Sequence, residues 1–159
     1  MNIVIARDDP GRSEVARLIG ELDAYSKSLY PPESNHLLDI EEMRMPRMRF
    51  CTVSVDGDVV GCGGIWLHDD YAEVKRVYIS PRARGRGLAR TIMARLEEEA
   101  RAAGMTVARL ETGILQPEAL GLYRALGYRE RSAFGDYPAN DPNSVFMEKT
   151  LPAAASSMV

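Results

Sequence analysis

The run Arg82-Ala83-Arg84-Gly85-Arg86-Gly87-Leu88-Ala89 constrains the fold more than any other stretch, because it lies between a predicted strand ending at Ile79 and a predicted helix starting near Gly87. A strand that turns through glycines into a helix leaves the first helical N–H groups without intrahelical partners. The positive end of the helix dipole points the same way, so the unit forms a cradle for an anion. Gly85 and Gly87 let the backbone approach a diphosphate, and Arg82, Arg84, Arg86 and Arg90 place a local positive field on a chain of net charge −3. A dinucleotide fingerprint would need a third glycine where Arg90 stands, and no Gly-Lys-Ser or Gly-Lys-Thr of a Walker loop occurs.

Hydrophobic periodicity supplies the surrounding elements. Met1 to Arg7 alternates as a strand, and Asp9-Pro10 reads as the cap of a helix whose stripe is Val15, Leu18, Ile19, Leu22, Tyr25 and Leu29, ended by Pro31-Pro32. Glu33 to Arg49 is a polar excursion with a helical pattern over Leu37 to Met45. The period then changes to two. Phe50 to Val55 and Val59 to His68 form a hairpin about Asp56-Gly57-Asp58, with Gly61, Gly63 and Gly64 predicting a bulge or a close neighbour in its second strand. Strands follow at Tyr71 to Ile79, Val107 to Thr112, from Tyr128, and Ser144 to Thr150. Between them lie a helix carrying Leu88, Ala89, Ile92, Met93, Leu96 and Ala100, stopped by Gly104, and a helix over Pro117 to Ala125, stopped by Gly127. Hairpins followed by βαβ units predict an α/β (α+β) fold with a mixed sheet, in one domain over residues 1–150 and a frayed tail over 151–159.

Composition narrows the function classes. With 159 residues and 45% hydrophobic content the chain can bury a core without disulfides, so Cys51 and Cys62, in apolar strands and far from other ligand residues, are expected as buried reduced thiols. A metal site is not expected. A net charge of −3 and a pI near 5.5 argue against a nucleic-acid surface, whose affinity comes from neutralising many phosphates. Met1 to Arg7 has no leader-like pattern and no apolar run is long enough to span a membrane, so a cytoplasmic protein without membrane partners is expected.

Arg82, Gly85 and Gly87 match [QR]-x-x-G-x-[GA], and Ala119, Leu122, Tyr123, Gly127 and Tyr128 match A-x-x-L-Y-x-x-x-G-[FY] on the helix after the fifth strand. In these motifs and in element order over most of residues 1–150, the chain resembles the GNAT family of N-acetyltransferases. The resemblance implies a mixed, mainly antiparallel sheet of about six or seven strands with helices on both faces, and acetyl-coenzyme A (acetyl-CoA) as acyl donor. It assigns the pantetheine contacts to Val77, Tyr78 and Ile79 and the diphosphate contacts to Arg82, Arg84, Gly85, Arg86, Gly87, Leu88 and Ala89. Gln116 stands where many members carry an asparagine that binds the cofactor.

The resemblance also assigns Glu73 as general base and Tyr123 as general acid and cofactor contact, without a nucleophilic cysteine. The acceptor it implies is a primary amine of a small molecule or peptide, and a homodimer is compatible with it. The acceptor side falls on Tyr25 to Asp39 and Phe134 to Asn143, where Tyr25, Tyr30, Glu33, His36, Asp39, Asp136, Tyr137 and Asp141 would suit a cation. His36 and His68 receive no role. Open alternatives are a non-catalytic acyl-CoA-binding module, an acetyltransferase of protein lysines or N-termini, a different acyl donor, and a phosphate- or nucleic-acid-binding loop.

Overall fold

The structure, a computed structural model, describes residues 1–35 and 39–152. Its elements are β1 (Ile3–Arg7), α1 (Ser13–Leu29), α2 (Ile40–Met43), β2 (Met48–Val55), β3 (Asp58–Leu67), β4 (Ala72–Ile79), α3 (Leu88–Ala102), β5 (Val107–Gly113), α4 (Pro117–Ala125), β6 (Arg129–Arg131) and β7 (Ser144–Thr150), with 3-10 turns at Pro32–Ser34 and Pro81–Ala83. The strands form one seven-stranded sheet in the order β1-β2-β3-β4-β5-β7-β6. Every pairing is antiparallel except β4 with β5. This is the mixed, mainly antiparallel sheet expected.

Alternation along the strands divides the interior in two. Cys51, Ile65, Ala72, Val74, Ala108, Leu110 and Met147 meet Ile92, Met93, Leu96 and Ala100 of α3 and Leu120 and Tyr123 of α4. On the opposite face, Met48, Phe50, Cys62 and Tyr78 meet Val15, Leu18, Ile19 and Leu22 of α1 and Met43 of α2. Cys51 and Cys62 are buried free thiols, and burial pushes their pKa values up to about 11 and about 12. Gly63 is the close approach its position predicts. A Cβ there would lie 3.0 Å from Leu96 and 3.1 Å from Val77, so α3 seats closely on β3 only because the side chain is missing.

Two sequence expectations shift. α1 starts at Ser13 with Arg12 as its cap, one turn after Asp9-Pro10. The Asp9 carboxylate is used instead to accept from the Gly11 N–H at 2.8 Å and from two Arg44 nitrogens at 2.9 Å each, which closes a turn ahead of the helix. In the polar excursion, α2 covers Ile40–Met43 behind an Asp39/Glu42 capping box, whereas Leu37 lies outside the described residues. At the other end, Leu151, in the expected tail, is buried and its N–H donates to Thr106 O at 2.8 Å; residues 153–159 lie outside the described part.

The feature that positions the site is the middle of the sheet. β4 and β5 pair only through Ala72↔Ala108, Glu73↔Arg109 and Val74↔Leu110. Beyond Val74, β4 carries a left-handed residue, Arg76 at φ 62, opposite a register shift between Cys62 and Gly64 of β3. An irregularity of this kind bends a strand. β4 therefore leaves β5, and a gap opens through the sheet.

Candidate active site

A groove of about 590 Å³ occupies the α3 and α4 side of this gap. Its walls are the end of β4 (Val77, Tyr78, Ile79), the loop and first turn of α3 (Ala83, Arg84, Gly85, Gly87, Leu88, Ala89, Arg90), and the start and inner face of α4 (Gln116, Pro117, Ala119, Leu122, Tyr123). Gly85 and Gly87 adopt φ 81 and φ 74, values that disfavour a side chain. Gly87 is the cap of α3, and no side chain caps it, so the first-turn N–H groups face the groove with the positive dipole end behind them. Arg84 is fixed by its Nε, which donates to Ile79 O at 3.0 Å, and its guanidinium lies over the rings of Tyr78 and Tyr25 at 5.8 and 6.0 Å.

Two loop arginines stand outside the groove. Arg82 binds Asp58 at 3.3 Å, Ser80 Oγ at 2.7 Å and Val59 O at 3.1 Å, bracing the loop on the β2–β3 hairpin. Arg86 Nη1 reaches Met1 Sδ at 3.4 Å on the surface. Arg90 lines the groove in their place. Nothing in the spacing of four arginines distinguishes these roles; the curvature of the turn does.

A second cavity of about 130 Å³ lies on the α1 side of the same gap. Lys75, Arg76, Glu111 and Gly113 contribute from the strands, Leu22, Ser26 and Tyr30 from α1 and its end, Ser34 and Asn35 from the following turn, and Asn143 from the loop before β7. Tyr30 is held there by donating its hydroxyl to Gln116 Oε1 at 3.2 Å and accepting from the Leu115 N–H at 3.1 Å. A Cβ at Gly113 would come within 1.7 Å of that hydroxyl, so this glycine makes room for the ring. Five residues line both cavities: Leu22, Val77, Gln116, Ala119 and Tyr123. Gln116 is thus at the junction and ties α1 to the start of α4.

Tyr123 is buried, packs edge-on against Tyr128 at 6.0 Å, and burial pushes its pKa up to about 12. Among the described residues its hydroxyl makes no hydrogen bond, and it sits where the two cavities meet. At neutral pH it carries its proton.

Glu73 is also buried, but lines neither cavity. Its carboxylate accepts from Lys75 Nζ at 3.1 Å and from the Tyr137 hydroxyl, and lies 3.0 Å from His68 Nε2. Lys75 also donates to the Tyr137 oxygen at 2.7 Å. Burial, then the Glu73 charge, raise the Tyr137 pKa well above the usual range. His68, stacked on Tyr71 at 4.3 Å, thereby closes the far side of the Glu73 cluster.

Of the residues expected on the acceptor side, Tyr30 lines the small cavity and Tyr25 the large one. Tyr137 joins Glu73 and Lys75, Asp141 accepts from Ser34 Oγ at 3.0 Å, and Asp39 caps α2. Glu33 and Asp136 are exposed and line neither cavity, and His36 lies outside the described residues. Arg76 and Glu111 were not singled out by sequence, and Asn143 entered only as the end of the expected acceptor segment. The only local hint was that Glu111 sits on a strand face shared with Arg109.

A groove ending in an uncapped helix N-terminus is thus joined, through a split sheet, to a small chamber on the other side. The model of the acetyltransferase (GNAT) family matches residues 16–128. The IAA acetyltransferase of Azospirillum brasilense is 47% identical over 152 residues, covering 94% of this chain and 99% of that protein. A solved structure from Klebsiella pneumoniae, described as an acyl-CoA N-acyltransferase, superimposes with a TM-score of 0.79 at 38% identity, over 94% of this chain and 97% of the other. A Thermoplasma acidophilum N-acetyltransferase solved with coenzyme A shares the fold, with a TM-score of 0.70 at 16% identity over 94% and 99% of the two chains. This chain belongs to the GNAT family of acetyltransferases. It is an acetyl-CoA-dependent N-acetyltransferase with a seven-stranded sheet of that family's kind.

Proposed function

We propose that the chain transfers the acetyl group of acetyl-CoA directly to the primary amine of a small molecule. The observation that carries this reading is the meeting of a donor-sized groove and a small polar cavity at Val77, Gln116 and Tyr123. The diphosphate lies on the Gly85–Ala89 turn, with Arg84 and Arg90 beside it, and the pantetheine arm runs along Val77, Tyr78 and Ile79 toward the gap. A cavity of about 130 Å³ favours a compact acceptor over a folded protein surface.

The amine nitrogen attacks the thioester carbonyl, a C–N bond forms, the C–S bond breaks, and the thiolate takes the Tyr123 proton. A tyrosine with a pKa near 12 keeps that proton until the thiolate develops. The backbone N–H of Val77 is the proposed donor to the carbonyl oxygen. Glu73 acts as base at one remove, since it meets the acceptor cavity only through Lys75 and its hydrogen-bonded partner Tyr137. The amine's proton travels to it through Tyr137 and intervening water.

Titration calorimetry with acetyl-CoA, beside NAD and ATP, tests the donor. Selective binding of acetyl-CoA is expected, and equal binding of all three would overturn the reading. The name of the Azospirillum relative supports a second acceptor, IAA. Thiol release with IAA next to a panel of primary amines separates the two: turnover of IAA alone would displace the amine reading.

A further inference from the structure

The acceptor cavity is charged in a patterned way. The left-handed residue in β4 places two successive cations, Lys75 and Arg76, on the α1 side, where strict alternation would have put only one. Across the gap stands Glu111 of β5, the only carboxylate among the described residues that line the cavity, accepting from Ser144 Oγ at 2.7 Å. The rest of the lining mixes hydroxyl and amide groups, among them Ser26, Ser34, Asn35, Thr112 and Asn143, with apolar side chains such as Leu22, Val74 and Leu110.

Arg76 has donors to spare. It is only 8% exposed, and Nη1 donates to Asp23 Oδ1 of α1 at 2.7 Å. Its Nε is buried and meets no acceptor among the described residues. Guanidinium offers five N–H donors in a fork that matches a carboxylate, and a buried donor left unmade is costly. Lys75 has three N–H donors, of which Glu73 and Tyr137 take two.

We infer that the acceptor is a small aminocarboxylate, with its ammonium held by Glu111 on the β5 wall and its carboxylate taken by Arg76 and Lys75 on the β4 wall of the gap. The inference rests on the acetyl-transfer reading and goes beyond it, because that reading asks only for an amine. A cation without a carboxylate would leave Arg76 Nε without an acceptor, and an apolar amine would strip water from the hydroxyl and amide groups of the lining without replacing their hydrogen bonds. The strand irregularity thus does two things at once: it opens the gap for the thioester and doubles the cations facing it.

The test is thiol release from acetyl-CoA with glycine, alanine, serine, threonine and asparagine, each beside its carboxamide and the amine lacking the carboxyl group. At least one amino acid should exceed both analogues by about tenfold or more in kcat/KM. Arg76→Lys, which keeps the charge but loses the fork, should raise the KM of that amino acid by about tenfold and leave the acetyl-CoA KM within about twofold. Glu111→Gln should do the same, and decides together with the wild-type panel if the Arg76 variant does not fold. Analogues that perform as well as the amino acids would overturn the inference. So would acetyl-CoA binding with no amino acid acetylated, or an unchanged KM in both variants. Failure of acetyl-CoA to bind in calorimetry would mark the fall of the transfer reading itself, and of this inference with it.

Discussion

The two cavities that meet at Tyr123 are built in opposite ways. Most of the donor groove comes from residues 77–90, one continuous strand, turn and helix start, and much of what it offers is backbone: the N–H groups of an uncapped helix and the space left by Gly85 and Gly87. The acceptor cavity is assembled from α1, the turn after it, β4, β5, α4 and the loop before β7, and what it offers is side chains. A site made mainly from one contiguous segment is specified largely by local rules and serves one carrier. A site made from six segments changes its chemistry with single substitutions while the carrier site stays as it is.

If the difference is real, changes should separate cleanly between the two sides, and the largest should fall at the junction. Tyr123→Phe is expected to lower kcat by about 100-fold with the acetyl-CoA affinity nearly unchanged. Pre-steady-state thiol release would check this, and retention of full rate would remove Tyr123 as the acid. Arg84→Glu, on the donor side, should weaken acetyl-CoA binding by about tenfold or more without moving the KM of the acceptor. An acceptor KM that moved as far as the donor's would break the separation.

Smaller effects sharpen the contrast. Gly113→Ala should push Tyr30 off Gln116 and Leu115, raising the acceptor KM several-fold and lowering the Tm by roughly 2–4 °C, with donor affinity intact. Arg82→Ala, at a side chain 47% exposed and tied to Asp58, should leave acetyl-CoA affinity nearly unchanged and cost less than about 1 kcal/mol of stability. A tenfold loss of affinity there would return Arg82 to the cofactor site. The raised values of Cys51, Cys62 and Tyr123 mean that the folded chain holds protons an unfolded one would release. Their contribution is complete below about pH 9, where an unfolded thiol begins to ionise, and is lost as pH rises toward 11 and 12. Urea midpoints measured from pH 8 to 11 should fall monotonically.

The legibility of the site follows the same division. The turn from Arg82 to Ala89 could be read from its residues because glycines between a strand and a helix mark a positive-φ turn that its neighbours in sequence complete. Tyr123 was reached through its motif and Glu73 through its place on β4. Their surroundings separate them: one opens into both cavities, whereas the other is enclosed by His68, Lys75 and Tyr137. Arg76 left no mark at all, because a left-handed arginine within a strand contradicts the alternation on which strand reading rests.

Periodicity, glycine placement and proline breaks by themselves determined the elements and the glycine turn ahead of α3, since each depends on residues within a few positions of one another. Only the tertiary structure decided where β4 parts from β5, which loop arginines face the groove, and that Lys75, Arg76 and Glu111 share a chamber. The reason is that β4 pairs with β3 along most of its length but with β5 over just three residues, and where that pairing ends is set by packing against α1 and α3 rather than by any local preference of the strand.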